Sequence, residues 1–596
     1  MRKIVYLLIV ALGIIFTACS GSKDFNNGFV QYSPVSLSEN DKNILKNNIQ
    51  EFETRYDDSV KMITKRLTGW NYHTDAESGT YHEVRGSFTY ALALLDFGNK
   101  DFEQRAFDVI DATLSLQDQD PQSPSYGVWP YYKEEPLSTK KSPIDYNWAD
   151  FSAVLLLDIY MGHKDKFPDY LLKKLENALI LAARAVKKRN CPPSYTNIAI
   201  MGTYVTYVTS HLFDIADLKE YASERLDRFY KYTMNKGGFT EYNSPTYTII
   251  AIDELKRMQM HIVEPKARKM IDELYSLCWS MIARHYHKTS AQWAGPHSRC
   301  YNTLVDISFY GILNEASDGR IDLGYGPTRP NVKIKHKIPE ELMHYFLEPK
   351  YPRTEIDVFE NTEPKVIGTT YLTDSYSLST SSRSCLWNQR RPFLAYWGEC
   401  GSAHYLRLRF LRDNYDFATT NIFSVQNKNN ILSVINTSTN GGTKHLYLDS
   451  IKDGKFTSSD IRIRFELGNC DEILADLPQQ TDKQITVLAN GMKFNVRMLE
   501  ARWDDSIGYW EKGSDGQNSW VDYVIYKGKE KSFDLIKMKE AAFALAMSFG
   551  NDELVSIDNA NVSVKSGIMD ASWNGLKVSA SIKPEKQPKN INDHAK

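Results

Sequence analysis

The apolar residues of this chain change their spacing near Pro349, and this change limits which folds the chain can adopt. Before that point, from about Ser38 to Arg284, apolar residues recur at the spacing of amphipathic helices. After it, apolar and polar residues alternate, as they do in antiparallel strands that bury one face. A helical half followed by a strand half predicts two segregated domains, not an interleaved α/β fold.

The helical half predicts about ten helices of roughly three to five turns, separated by clusters of Gly, Pro or Asn. Typical segments are "NWADFSAVLLLDIYMG" and "NIAIMGTYVTYVTSHLFDIA". A regular succession of helix, loop and helix suits helical hairpins that close into a partial ring. We therefore predict an (α/α) toroid over residues 38–345, which would be the catalytic domain.

The strand half contains "HYLRLRFL" and "IRIRFEL", in which apolar residues alternate with charged or polar ones. Two Asn-Gly pairs, Asn490-Gly491 and Asn574-Gly575, stand between alternating runs, and this is the strongest short hairpin signal. The pattern predicts antiparallel sheets with one wet face. We expect an antiparallel β-sandwich over residues 346–596.

The N-terminus resembles a bacterial export signal. Arg2 and Lys3 precede an apolar run that is too short to span a bilayer, so residues 1–18 are predicted to be a signal peptide. "FTAC" resembles a lipobox, which implies lipid attachment at Cys19 and a linker over residues 19–37; an ordinary signal peptide with an incidental Cys is the alternative. The predicted location is the periplasm, outer membrane or surface of a Gram-negative bacterium.

Composition excludes some classes of function. The formal net charge is -2 and the sequence pI is about 6.7, so a nucleic-acid partner is not expected. The six cysteines after Cys19 show no CxxC pair, which argues against a zinc site of that type, and the sequence cannot pair them as disulfides. The 36 Tyr and 11 Trp fit either core packing or stacking on sugar rings.

The segment "GGFTEYNSPTY" lies where one helix ends and another begins. Ser244 is predicted to cap the new helix with Pro245 at its first position, so Tyr247 falls in the first turn. Glu241 and Asn243 lie just outside the helix and are candidate substrate contacts. The alternative is that the tyrosines pack in the core and Glu241 is solvated.

In "SYTNIAIMGTY", either Thr196 or Asn197 is predicted to cap another helix. An amide at a helix N-terminus can bind an anionic group such as a carboxylate. Asn197 is therefore a candidate catalytic residue, and simple capping is the alternative.

The loop "QWAGPHSRCYN" adds a third set. His297, Arg299 and Tyr301 alternate, so in an extended loop their side chains should point the same way. A His, an Arg and a Tyr together suit anion binding and proton transfer. We predict His297 and Arg299 as catalytic, and Trp293 and Tyr301 as substrate contacts.

A fourth stretch, "YHTDAESGTYHEVRGSF", precedes a helix predicted to start near Ser87. His82, Glu83 and Arg85 are candidate substrate contacts. His73, Asp75 and Glu77 alternate, but this spacing is not a specific metal signature. No cofactor is required, and a structural divalent metal has no support from the spacing.

Taken in order, these features resemble the heparinase II/III and alginate lyase group of polysaccharide lyases, which combine a helical toroid with antiparallel sheets. In that group a glycine-led segment ends in a catalytic Tyr, which Tyr247 matches, and an upstream Asn, matched by Asn197, helps to neutralise a uronate carboxylate. The family often has His after this Asn, whereas this chain has Ile198, so His297 or His82 would have to supply an imidazole. A branch that acts on rhamnose–glucuronic acid is one relative that the loop suggests.

The resemblance implies β-elimination of uronic acid-containing glycans, with an anionic polysaccharide or oligosaccharide as the partner. Asn197 and Arg299 would stabilise the charge that develops after loss of the C5 proton, and Tyr247 and His297 would share the acid and base roles. Two alternatives stay open. One is a toroidal glycoside hydrolase that uses carboxylates among Glu83, Asp150 and Glu241. The other is a glycan-binding lipoprotein without catalytic activity.

Overall fold

The computed structural model describes residues 27–32, 36–69, 74–327, 331–440, 451, 453–470, 473–478, 484–504, 506–551, 554–589 and 591. The predicted signal peptide and Cys19 lie outside these residues, so export and lipid attachment stay predictions. Within the described part of the chain, no helix is long and apolar enough to cross a membrane. The six cysteines after Cys19 are all free thiols.

Ten α-helices of at least ten residues make up the described helical half. They are α1 Glu39–Glu53, α2 Val84–Phe97, α3 Lys100–Leu114, α4 Asn147–His163, α5 Asp169–Arg189, α6 Thr196–Leu212, α7 Ala216–Lys236, α8 Tyr247–His261, α9 Pro265–His285 and α10 Ile307–Ala316. Short strands lie among them: β1 Tyr56–Asp57, β2 Met62–Leu67, β3 Gly79–Glu83, β4 Tyr286–His287 and β5 Gln292–Trp293. A short helix, α11 His344–Leu347, ends this half.

The helices form two concentric layers. Helices α2, α4, α6 and α8 pack side by side in that order, and each is followed by an outer helix, α3, α5, α7 or α9, that packs on it. Because an outer helix returns the chain between successive inner helices, the inner helices run parallel and all begin at the same rim. The predicted toroid of helical hairpins is confirmed.

The segment Asn331–His336 closes the opposite end of the toroid with polar contacts. Asn331 Nδ2 donates to Asp158 Oδ2 at 2.8 Å, and Lys333 Nζ lies 2.8 Å from Asp96 Oδ1. His336 Nε2 contacts Asp253 Oδ1 at 2.7 Å. These contacts tie the chain that leaves the toroid to inner helices α2, α4 and α8.

The second half contains the remaining strands. They are β6 Arg353–Glu360, β7 Val366–Leu372, β8 Tyr376–Ser381, β9 Arg383–Cys385, β10 Phe393–Trp397, β11 His404–Arg412, β12 Tyr415–Asp416, β13 Thr420–Asn427, β14 Asn430–Thr437, β15 Lys455–Gly468, β16 Ile473–Asp476, β17 Gln484–Ala489, β18 Met492–Trp503, β19 Tyr509–Ser514, β20 Asn518–Asp534, β21 Ala541–Gly550, β22 Asn561–Lys565, β23 Ile568–Trp573 and β24 Leu576–Ser581. All pairings within the sheets are antiparallel.

Two large sheets pack face to face. The first follows the order β19-β20-β15-β11-β10-β8-β7-β6, and the second follows β16-β17-β18-β21-β14-β13-β9. Their inner faces share one apolar core, with Leu406, Phe410 and Ile463 among its buried members. A smaller sheet, β22-β23-β24, covers the far side of the second sheet. The predicted antiparallel sandwich is confirmed.

Both predicted Asn-Gly hairpins occur. Asn490 and Gly491 join β17 to β18 with positive φ angles of 46° and 80°, and Asn574 and Gly575 join β23 to β24 with 46° and 82°. The expectation of a wet outer face is only partly met, because Arg462 and Arg464 are buried and paired with Asp522. Ion pairs cover much of this face instead of water.

The first sheet directly contacts helix α7, the end of α9 and the segment that follows each of these two helices. Tyr242 stacks on Phe359 of β6 with ring centroids 3.8 Å apart. The guanidinium of Arg284 pairs with the carboxylate of Asp357, and Thr370 Oγ1 donates to the Gly295 carbonyl at 2.6 Å. These contacts fix the loop after α9 between the toroid and the sandwich.

Candidate active site

The starts of the four inner helices lie along one rim of the toroid, and side chains join the starts of α2, α4 and α6. The guanidinium of Arg85, in the first turn of α2, stacks 5.0 Å from the centre of the Phe151 ring on α4. Asn147, the first residue of α4, lies 3.4 Å from the Tyr195 hydroxyl just before α6. Parallel helix N-termini present partial positive charge and unpaired N–H groups, so this rim favours anionic ligands.

Helix α8 begins at Tyr247 and its cap residue is Thr246. The predicted cap by Ser244 with Pro245 at the first helical position is therefore wrong, although Ser244 still holds Tyr247. Ser244 Oγ accepts the backbone N–H of Tyr247 at 3.0 Å and donates to the Arg299 carbonyl at 2.5 Å. Ser244 therefore stabilises the helix start and also ties it to the loop after α9. The predicted placement of Tyr247 in the first turn is confirmed.

The Tyr247 hydroxyl lies between two groups from this loop. Arg299 Nη2 donates to it at 3.0 Å, and the Tyr301 hydroxyl is 2.8 Å away. Tyr301 is 59% exposed, so it connects Tyr247 to solvent. Burial raises the pKa of Tyr247 above its usual value, although the nearby charge of Arg299 opposes this, and the phenol is therefore protonated at neutral pH.

Arg299 connects the members of the site. Its Nη1 lies 3.4 Å from Glu241 Oε1, and its Nε donates to Gln389 Oε1 at 2.9 Å. The guanidinium is 4.8 Å from the ring centres of both Tyr247 and Trp387. These contacts on several sides hold the cation at the Tyr247 hydroxyl and leave it little freedom to move.

Trp387 and Gln389 come from the sandwich, in the loop "LWNQRRP" between β9 and β10. Neither residue was predicted from the sequence. The available signal was a loop between strands that carries a Trp, two amides and two Arg, which is an unusual content for a simple connection. The candidate site is therefore shared between the toroid and the sandwich.

Glu241 and Asn197 meet at the start of α6. The backbone N–H of Glu241 points to Thr196 Oγ1 at 3.4 Å, and the backbone N–H of Asn197 interacts with the Glu241 carboxyl. Glu241 is 2% exposed and Asn197 is 4% exposed. Burial raises the pKa of Glu241 to about 7, against the opposing charge of Arg299.

The predicted capping of α6 by Thr196 or Asn197 is wrong. The helix begins at Thr196, its cap residue is Tyr195, and no side chain caps it. Asn197 lies inside the first turn, and its Oδ1 has no hydrogen-bond donor among the described residues.

Three buried residues support the site without reaching the rim: Asn243, Trp293 and His297. Asn243 is 1% exposed; its Nδ2 donates to the carbonyls of Ala294 and Pro296 at 2.9 and 3.0 Å, and its Oδ1 accepts from Trp293 Nε1 at 2.5 Å. His297 is 2% exposed, and its Nδ1 lies 2.7 Å from the Asn243 carbonyl. Burial lowers the pKa of His297 to about 3, so the ring is neutral.

This geometry does not support the expected proton exchange between His297 and a substrate, nor direct substrate contacts by Asn243 and Trp293. The alternation of His297 with Arg299 and Tyr301 predicted a common direction. The His297 backbone instead forms a bridge with Arg391, with N–H to carbonyl distances of 3.1 and 3.0 Å, and its ring turns inward. Only Arg299 and Tyr301 of the three reach Tyr247.

We expect Asn243→Ala to lower the free energy of unfolding by about 2–4 kcal/mol. The change leaves buried polar groups without their hydrogen-bond partner and places Ala at a positive φ of 41°. Urea denaturation measures this. Asn197→Ala is the matched control, with a smaller expected loss of about 1 kcal/mol, because its Oδ1 can lose at most one hydrogen bond, from a proton on the neighbouring Glu241 carboxyl. An Asn243→Ala protein of unchanged stability that binds substrate poorly would restore Asn243 as a substrate contact.

The remaining predicted contacts lie elsewhere on the toroid. His82 contacts Glu134 through Nδ1 and Asp57 through Nε2 at 3.1 Å, so its ring joins β3 to strand β1 and to the loop that carries Glu134. Glu83 lies 3.3 Å from Lys65. Arg85 is exposed at the rim and has no ion pair with the described residues, so it stays a candidate contact for an anionic group.

Among the described residues, no group of three or more His, Cys, Asp or Glu side chains is arranged to hold a metal ion. Asp75 instead accepts the backbone N–H groups of Lys141 and Ser142, each at 2.6 Å. His73 lies outside the described residues.

Comparisons with known proteins agree with this architecture. A family model for a domain of unknown function (DUF8769) matches residues 42–315, and no curated protein matches the chain. The chain resembles the chondroitin AC lyase of Streptomyces coelicolor A3, solved with chondroitin sulphate, with a TM-score of 0.50, 9% identity and coverage of 92% of this chain and 86% of that one.

Two further solved structures are similar over most of their length. Heparinase III gives a TM-score of 0.44 at 10% identity, covering 92% of each chain. The heparan sulfate lyase HepC of Pedobacter heparinus gives 0.38 at 10% identity, covering 93% of this chain and 90% of that one. The chain has a polysaccharide lyase fold, a helical toroid followed by antiparallel sheets, as the sequence resemblance predicted.

Proposed function

We propose that this protein is a polysaccharide lyase that cleaves uronic acid-containing glycans by β-elimination. The observation that carries the proposal is the Tyr247 hydroxyl, which lies 3.0 Å from the Arg299 guanidinium and 2.8 Å from the Tyr301 hydroxyl at a rim of helix N-termini. A proton-transfer group beside a fixed cation is what elimination next to a carboxylate needs. The resemblance of the fold to a chondroitin lyase supports the same class.

The substrate carboxylate would bind at Asn197 and Arg299. Loss of the C5 proton places additional negative charge on this carboxylate, and donors that are already fixed stabilise that charge without reorganising. The electrons of the C5–H bond form the C4–C5 double bond as the bond from C4 to the leaving oxygen breaks. Arg299 is suited to this role because Glu241, Gln389 and two aromatic rings hold its guanidinium in place.

Tyr247 would move the proton. The net reaction transfers one proton from C5 to the leaving oxygen, so a tyrosine that accepts one proton and gives one ends each cycle unchanged. Its raised pKa makes the phenol the resting form, so a proton must first leave Tyr247 before the phenolate, beside Arg299, can take the C5 proton and pass it to the leaving oxygen. The hydrogen bond to exposed Tyr301 offers a route by which a proton can reach or leave solvent.

The hydrolase alternative lacks a suitable carboxylate pair. Asp150 is buried, with Oδ2 4.0 Å from Arg189, and Glu241 is buried against Arg299. Glu83 lies beside Lys65. A hydrolase needs two carboxylates that both face the scissile bond across a gap of roughly 5–10 Å, and these three are each engaged with a different cation.

The test is a screen of uronate glycans followed by ultraviolet absorbance, because elimination leaves a double bond conjugated to a carboxylate. We expect absorbance to rise with at least one glucuronate-containing polymer. Release of new reducing ends without this absorbance would identify a hydrolase. Binding of the polymers without either signal would favour the glycan-binding lipoprotein.

A further inference from the structure

Two buried oxygen atoms at the start of α6 have no hydrogen-bond donor among the described residues. They are Glu241 Oε2 and Asn197 Oδ1. The two residues are neighbours, because the Asn197 backbone N–H interacts with the Glu241 carboxyl and the Glu241 backbone N–H points to Thr196. Two buried acceptors without a donor are unfavourable unless a proton reaches them.

The groups around Glu241 do not fully compensate an ionised carboxylate. Arg299 is the cation that faces it, at 3.4 Å, and the same guanidinium also serves Tyr247 and Gln389. The Tyr247 and Tyr195 phenols and the Cys191 thiol also face Glu241, and all three have raised pKa values, so they are neutral at pH 7. Burial therefore keeps the protonated carboxyl populated at neutral pH.

We propose that Glu241 is a positioning residue whose carboxyl proton is donated to Asn197 Oδ1, so that Asn197 Nδ2 faces the carboxylate of the bound sugar. This proposal rests on the proposed lyase function for the identity of the ligand. An amide has one acceptor and two donors, and fixing the acceptor inward leaves the donors for the substrate.

Ionisation of Glu241 would reverse this arrangement. A carboxylate attracts Asn197 Nδ2 to itself, and its negative charge also repels the carboxylate of the substrate. Because the pKa of Glu241 is raised to about 7, uronate binding should weaken as the pH rises from 6 to 8.5. The expected loss is about tenfold, a usual size for one hydrogen bond to a charged group.

A ligand-free measurement tests the Glu241–Asn197 contact. In protein with isotope-labelled asparagine, the Asn197 side-chain amide signal is identified by its loss in Asn197→Ala. We expect this signal to titrate near pH 7 in the wild type and not in Glu241→Gln. A signal that stays fixed over this range in the wild type, or still titrates in Glu241→Gln, overturns the proposal.

Asp150→Asn is the matched control for this measurement. Asp150 is also buried with a pKa raised to about 7, but it faces Arg225 and Arg189 between α4 and α6. Its replacement should leave the Asn197 titration in place. If the Asn197 signal no longer titrates in Asp150→Asn, the titration reports Asp150 and not Glu241, and the proposed role of Glu241 is overturned.

Binding measurements in the Tyr247→Phe background separate recognition from cleavage. The probe is a tetrasaccharide of β-1,4-linked glucuronate, and cellotetraose is the neutral control. Glu241→Gln keeps a donor for Asn197, so it should bind at pH 8.5 as tightly as the parent binds at pH 6. Glu241→Leu supplies no donor and should bind about tenfold more weakly at both pH values.

Equal affinities of the Gln and Leu variants would show that charge alone matters and would overturn the positioning role. If no variant binds the glucuronate probe more tightly than cellotetraose, the uronate part of the proposal fails together with the proposed function. The Asn197 titration still decides whether Glu241 orients the amide, so the two failures are distinguishable.

Discussion

In Tyr247→Phe, we expect kcat on a cleaved uronate glycan to fall by about 10²–10⁴-fold, the usual contribution of one positioned acid–base group. KM should change little, because the phenylalanine ring still lies beside the Arg299 guanidinium, which contacts the tyrosine ring at 4.8 Å. Initial rates of ultraviolet absorbance measure both constants. The physical reason is that only the hydroxyl can exchange a proton with the sugar.

Tyr230→Phe is the control for this prediction. Tyr230 also loses a hydrogen-bonded hydroxyl, which donates to Glu273, but it lies on the outer helix α7. Its kcat should equal that of the wild type. A Tyr247→Phe protein that cleaves as fast as the wild type would exclude Tyr247 as the proton-transfer group.

Arg257→Met should lower the free energy of unfolding by about 3–5 kcal/mol, because it leaves buried carboxylates without their cation. Arg257 Nε donates to Asp158 Oδ1 and Oδ2 at 3.1 and 3.0 Å, and its Nη1 lies 2.6 Å from Glu254 Oε2. All three residues are buried. Asp158 also accepts a hydrogen bond from Asn331, so loss of the Arg257 cation should also loosen the end of the toroid that the segment Asn331–His336 closes.

Urea denaturation at neutral pH measures this loss, and Arg268→Ala is the control. Arg268 pairs with Asp272 one turn away on α9, with both side chains well exposed, and its Nη1 donates to the Gln259 carbonyl at 2.8 Å. The pair contributes about 0.3–0.5 kcal/mol and the hydrogen bond about 1 kcal/mol, so the loss should stay below that in Arg257→Met. The double variant Asp158→Asn with Arg257→Met should recover part of the loss, since it removes one unpaired charge. A loss in Arg257→Met no larger than in Arg268→Ala would contradict the prediction.

The regular elements could be predicted because their signals are local. Ser244 and Pro245 predicted a helix start within three residues of Tyr247, where α8 begins, and Ser244 does accept the Tyr247 N–H. The Asn-Gly pairs adopt the positive φ angles that two-residue hairpins require. At α6 the local signal failed, because Thr196 is engaged by the Glu241 N–H from another segment and not by its own helix.

The candidate site was predicted only in part. Arg299 and Tyr247 were both identified, and the structure brings them to 3.0 Å. Alternation along the loop suggested that His297 would join them, but a loop that pairs with Arg391 does not keep the geometry of an isolated extended strand. Trp387 and Gln389 come from the other domain and carry no sign in the sequence of which residues they contact.

The sequence by itself determined the order of the architecture and the position of Tyr247 at a helix start, because periodicity and capping depend on residues a few positions apart. Tertiary structure alone decided which side chains surround the Tyr247 hydroxyl. Arg299 is 52 positions from Tyr247, and the two meet only when the toroid folds; Gln389, 90 positions from Arg299, joins them only when the sandwich packs on the toroid. It also decided that Glu241 is buried, and burial is what raises the pKa of its carboxyl.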